Sequence, residues 1–124
     1  MNPNEMQVVN LGDKFQKFSD QWSPKIAGEL NGQYVKLVKV EGEFVWHKHD
    51  HEDELFLVVQ GAIDIHFRDR VAHINEGEFF IVPKGVEHKP VAESEAYVLL
   101  LEPKSTDQTG GQESELRVEE QPWV

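Results

Sequence analysis

Residues 44–61 read FVWHKHDHEDELFLVVQG, and the fold is read from this stretch outward. The β-branched and aromatic ends read as two strands, and the polar run Asp50-His51-Glu52-Asp53 between them reads as a tight turn. On an extended chain His47 and His49 are two apart, so both imidazoles leave the same face, roughly 7 Å apart along it. The turn then places Glu54 at the start of the next antiparallel strand, opposite the histidines. Two nitrogens and a carboxylate oxygen can converge on one ion.

The same texture continues on both sides. YVKLVKV (34–40), EFVWHKH (43–49), ELFLVVQG (54–61), IDIHFRD (63–69), EFFIVPKG (78–85) and AYVLLLE (96–102) are short runs separated by polar links. They predict about seven or eight strands. IDIHFRD alternates, with Ile63, Ile65 and Phe67 on one face and Asp64, His66 and Arg68 on the other, as in a strand with one buried side. Links this short favour antiparallel hairpins closing into a sandwich or barrel. Gly61, Gly77 and Gly85 stand where turns need unusual backbone conformations.

Upstream, LGDKFQKFSDQ (11–21) places Leu11, Phe15 and Phe18 at helical spacing before a break at Ser23-Pro24. Downstream, residues 103–124 are rich in Ser, Thr, Gln, Gly and Glu. They read as a loose extension with few groups to offset ordering entropy, although Leu116, Val118 and Trp123 could dock. The expected organisation is an N-terminal extension over 1–33 packing on the barrel, a barrel over 34–102 and a tail over 103–124.

Composition limits the partners. A chain of 124 residues suits one domain with one core. With 23 acidic against 12 basic residues, the net charge of -11 repels phosphate backbones and anionic headgroups, which argues against nucleic acid and membrane partners. There is no cysteine, so a metal here must be held by histidine and carboxylate. No basic leader followed by an apolar run opens the sequence, and the expected location is the cytoplasm.

Two spaced patterns carry a family resemblance. Gly42, His47, His49, Glu54 and Gly61 follow G-x5-H-x-H-x3-4-E-x6-G, with four residues rather than five between Gly42 and His47. Gly77, Pro83, Gly85 and His88 follow G-x5-P-x-G-x2-H-x3-N, with Ala92 where the pattern has Asn. The chain thus resembles the cupin superfamily, in particular small bacterial single-domain members similar to mannose-6-phosphate isomerase-like cupins. The resemblance implies an all-β fold, an antiparallel double-sheet β-barrel or jelly roll with a short helical or irregular N-terminal lead-in.

It also implies that His47, His49, Glu54 and His88 bind one divalent transition-metal ion, with His88 brought in by the second pattern rather than by local spacing. Three nitrogens and a carboxylate suit Fe, Mn, Ni, Co, Cu or Zn alike. Two activities follow as expectations: a metal-dependent isomerase, lyase or dioxygenase acting on a small oxygenated metabolite, or a non-catalytic module binding a small molecule or metal. A closed structural zinc site is the third reading. A homodimer is expected, since small barrels gain from covering an edge strand or an outer sheet face.

The remaining histidines, His51, His66 and His73, read as surface groups. Glu52, Asp53 and Glu87 flank the ligands and are expected to face away, which leaves no evident general base. Tyr34, Lys36 and Trp46 lie near the metal strands and could face a substrate, but read rather as an exposed strand face. Phe56, Val58, Phe80, Val82, Leu99 and Leu101 read as core or as the lining of a cavity near the metal.

Overall fold

The computed structural model describes residues 2–124. One short helix, α1 (Leu11–Phe15), precedes seven strands: β1 (Lys25–Leu30), β2 (Gln33–Glu43), β3 (Glu54–Gln60), β4 (Ala62–His66), β5 (Val71–Asn75), β6 (Phe79–Val82) and β7 (Lys89–Pro103). Asn10 caps α1 by accepting a hydrogen bond from the Asp13 amide at 2.9 Å.

Every strand pairing is antiparallel. The fifteen-residue β7 organises the barrel, because it pairs with β2 along its length, with β3 through its C-terminal half and with β4 through its N-terminal end. Opposite the β2 shift between Val40 and Gly42, Glu93, Ser94 and Glu95 drop out of register. A local irregularity of this kind lets a strand turn a corner and serve both sheets. The β4–β5 hairpin closes the other side. The structure is therefore the expected all-β double-sheet barrel with a short helical lead-in.

Two apolar clusters lie on opposite faces of the β2–β7–β3 layer. Inside the barrel, Val38, Val40, Phe56, Val58, Ile63, Ile65, Ile74, Val98 and Leu100 form the main core with Trp22 and Phe44. Outside it, Phe15 and Ala27 cover Leu37, with Leu11, Phe18, Tyr97 and Leu99 packed around them. Leu37 and Leu99 are cross-strand partners, as are Val38 and Val98, so adjacent pairs alternate between the clusters as strand geometry requires.

Four expectations need correction. Residues 43–49 do not form a strand: β2 ends at Glu43, and beyond it only His47 makes a bridge, with His88. The segment is tied to 85–90 by hydrogen bonds of Phe44 with Pro90, His47 with His88 and His49 with Gly85, but these are too widely spaced to make a continuous ladder. Residues 89–95 belong to β7, which starts well before Ala96; its polar corner hid the strand. The N-terminal stretch supplies β1, an edge strand of the sheet, in addition to its helix.

The tail is also not loose. Thr109 is fully buried, and its hydroxyl donates to the Gln112 carbonyl at 2.7 Å. Leu116 packs on the main core, and Trp123 bridges Ile26 of β1, where the Ile26 amide donates to the Pro122 carbonyl at 2.8 Å. Gly110 takes a φ of +61° and sits directly under the Lys48 carbonyl, a position with no room for a Cβ. Scattered side chains with specific pockets thus offset the ordering entropy that the polar composition suggested was too large.

Candidate metal centre

The strand ends bring His47, His49, Glu54 and His88 together, and each offers a ligand atom within 4.8 Å of the others. His47 and His88 face each other across reciprocal backbone hydrogen bonds, from the His47 amide to the His88 carbonyl at 3.0 Å and back at 2.8 Å. The Gly85 amide donates to the His49 carbonyl at 2.8 Å, tying the turn before His88 to the histidine segment. Glu54 is the first residue of β3, held by its pairing with Val82 of β6.

Ring orientation is set by the backbone. Nδ1 of His47 donates to the Val45 carbonyl and Nδ1 of His88 to the Val86 carbonyl, each at 2.9 Å. A carbonyl only accepts, so each Nδ1 carries the proton and each Nε2 keeps its lone pair for the centre. Such a partner behind the ring is a common support for a metal-binding histidine. His49 Nε2 and His88 Nε2 lie 3.5 and 3.6 Å from Glu54 Oε1.

All four residues are buried, between 0 and 5% exposed. Among the described residues His49 Nε2, His88 Nε2 and Glu54 Oε1 have no hydrogen-bond partner. Buried polar atoms are normally satisfied, and three unsatisfied ligand atoms converging on one point fit a metal ion. The donor set fits as well, since it is neutral nitrogen plus one carboxylate.

The environment separates the protonation states. Burial, reinforced by the neighbouring His88, lowers the His47 pKa to about 4. Burial also pushes His49 down, but the Glu54 carboxylate 3.5 Å away outweighs it, and its pKa is raised. Glu54 is held well below the usual carboxylate range: burial opposes this, but Glu102, His49 and His88 together prevail.

Glu102 was not read from the sequence as part of this region, and Lys36 was expected on an exposed strand face beside it. The β3–β7 register pairs Leu55 with Leu101, which sets Glu102 of β7 beside Glu54. Lys36 of β2 reaches the same place and donates from Nζ to Glu102 Oε2 at 3.0 Å, with both side chains 2% exposed. Burial and the Glu54 charge push the Glu102 pKa well up, against the pull of Lys36. Lys36 is therefore buried, not part of an exposed face. Its only sequence clue is that Glu102 shares the phase of the inward residues Val98 and Leu100.

A cavity of about 480 Å³, mouth included, opens beside His47 and Glu54, and its free interior is narrow, about 40 Å³. Of the residues expected to line such a space, only Phe56 does. Trp22, Val38, Val40, Phe44, Val98 and Leu100 supply most of the wall instead. The run Val98–Leu101 is uniformly apolar, so it offered no polar residue to mark which side faces in.

The other flagged residues stay outside. His51 and His73 are exposed, and His66 is half-buried away from the group. Glu52 accepts from Ser105 at 2.8 Å, Asp53 accepts from the Lys84 amide at 2.9 Å, and Glu87 pairs with Arg68 at 3.2 Å. Trp46 lies under the Arg68 guanidinium, 3.8 Å from the ring centre, and Tyr34 meets Trp123 edge-on.

Residues 34–102, more than half of the chain, match the cupin domain family model. The chain belongs to the cupin family. This cupin is 48% identical to a cupin-2 domain containing protein from Shewanella frigidimarina, with a TM-score of 0.78 over 78% of this chain and 95% of that one. It is 31% identical to protein NMB1881 from Neisseria meningitidis, with a TM-score of 0.73 over 79% and 100% of the two chains. It is also 37% identical over 62 residues to the uncharacterized protein YdbB of Bacillus subtilis. That match covers 49% of this cupin and 55% of the relative, so it spans about half of each. Among the described residues no helix is long and apolar enough to cross a membrane.

Proposed function

We propose that this cupin binds one divalent transition-metal ion through His47, His49, Glu54 and His88, and that it is a metal-dependent enzyme acting on a small oxygenated metabolite by isomerisation, elimination or dioxygenation. The observation that carries the reading is the convergence of buried, unpartnered ligand atoms beside a cavity that His47 and Glu54 line. A closed structural site needs no such cavity. A bound ion would supply Lewis-acid or oxygen chemistry there.

The chain's own residues do the positioning. The Val45 and Val86 carbonyls hold the His47 and His88 rings. Trp22, Phe44 and Phe56 exclude water from the reacting end.

The second reading, a non-catalytic binding module, is favoured by one specific feature: Glu52, Asp53 and Glu87 are all engaged elsewhere. Among the described residues no carboxylate besides Glu54 lines the cavity.

Metal content measured by mass spectrometry on untagged protein tests the shared basis of both readings. Stoichiometric metal in the parent, lost in both His49→Ala and His88→Ala, is the expected result. Metal absent from the parent, or retained by both variants, overturns it. Oxygen-uptake and isomerisation screens on the loaded protein then separate enzyme from binding module.

A further inference from the structure

The lining of the cavity narrows the ligand, on the basis of the metal-site reading above. Its wall is apolar on nearly every side, with Trp22 and Phe44 stacked 4.9 Å apart and Phe56, Val98 and Leu100 around them. The four polar side chains that line it divide into two kinds. Trp22 Nε1 already donates to the Glu41 carbonyl at 2.9 Å. The Gln108 amide is held at both ends, donating one N–H to the Trp22 carbonyl and accepting from the Val118 amide at 2.7 Å, which leaves it a single further N–H.

Apart from that one N–H, only His47 and Glu54 remain, and both belong to the metal group. Among the described residues no lysine or arginine lines the cavity, and the chain as a whole carries a charge of -11.

We infer that the ligand of this site is a small, uncharged, largely apolar molecule that places one or two oxygen atoms at the His47–Glu54 end, and not a phosphorylated sugar. A phosphate would enter an acidic protein with no lysine or arginine in the lining to receive it, leaving the bound ion as its one cationic partner. The hydroxyls of a hexose would be buried against Trp22, Phe44 and Leu100 without hydrogen-bond partners, which is a specific loss of affinity for each one. The narrow interior favours a flat ring or a short chain over a branched polyol. Polar recognition is concentrated at one end, and most of the molecule is recognised by shape and apolar contact.

Calorimetric titration of metal-loaded protein with phenol, cyclohexanol and mannose 6-phosphate tests this inference, with metal content measured on the same samples. Phenol or cyclohexanol should bind at least about tenfold more tightly than mannose 6-phosphate. Val40→Leu narrows the cavity by one methylene and should weaken that binding while leaving metal content unchanged. Val40→Phe extends the series if it folds by circular dichroism.

Tighter binding of mannose 6-phosphate, or binding of neither apolar probe at millimolar concentration, overturns the ligand class while the metal reading stands. Metal absent from the protein overturns the metal reading and the inference with it.

Discussion

His47 and His88, 41 residues apart in sequence, exchange two backbone hydrogen bonds and hold their rings 4.3 Å apart between centres. The backbone bridge does not depend on either side chain. His88→Ala should therefore keep the fold while removing one ligand. Loss of groups that merely support ligands costs about 10–100-fold in metal affinity, so loss of the ligand should cost more than about 100-fold. Competition with a chromophoric chelator measures it, and an unchanged affinity would remove His88 from the centre.

Acid should weaken metal binding through His49 first. Only a neutral imidazole binds, and the His49 pKa is raised above its ordinary 6.5 while that of His47 is lowered to about 4. Affinity should fall about tenfold per pH unit below the His49 value, and more steeply below about 4. Affinity that is flat between about pH 7 and 5 would exclude His49 as a ligand. In the metal-free protein the depressed His47 pKa contributes stability that is present above 6.5 and lost as pH falls through about 4. The raised His49 pKa acts in the opposite sense, its contribution being lost as pH rises through it.

Glu102→Leu leaves the Lys36 ammonium buried without its partner, and should cost about 3 kcal/mol in chemical denaturation. Lys36→Met combined with Glu102→Leu replaces both groups by apolar ones and should recover most of that loss. If the double variant is as unstable as the sum of the single ones, the pair is not coupled as its geometry implies.

Gly110→Ala should unseat the tail. The residue needs its positive φ, and its Cα faces the Lys48 carbonyl one residue from each of His47 and His49. A loss of about 1–3 kcal/mol is expected, with faster proteolysis over residues 104–121. An unchanged digestion pattern would show that the tail is not anchored at this point.

A homodimer is proposed on the strength of β6, which ends the sheet path with Phe79 62% and Ile81 49% exposed. Light scattering should then give twice 14.3 kDa, and Phe79→Lys should reduce it to the single-chain mass. A parent particle of single-chain mass would dispose of the proposal.

The sequence by itself determined the strand texture, the inward faces of short alternating runs such as Ile63 and Ile65, and the pairing of His47 with His49 across an extended segment. These depend on neighbours two residues apart, and that information is local. His88 was reached only through a family pattern, because nothing within its own neighbourhood distinguishes it from His66 or His73.

Tertiary structure alone decided which side of Val98–Leu101 faces the cavity, since a uniformly apolar run carries no phase. It alone showed that Lys36 and Glu102 are buried together behind Glu54, because charged residues read as surface until a partner on another strand is seen to cover them. It also decided that the polar tail is ordered, through contacts of Gln108, Thr109, Leu116 and Trp123 with segments far away in sequence. Register between distant strands and the space left between them are properties of the assembled barrel, and no stretch of chain contains them.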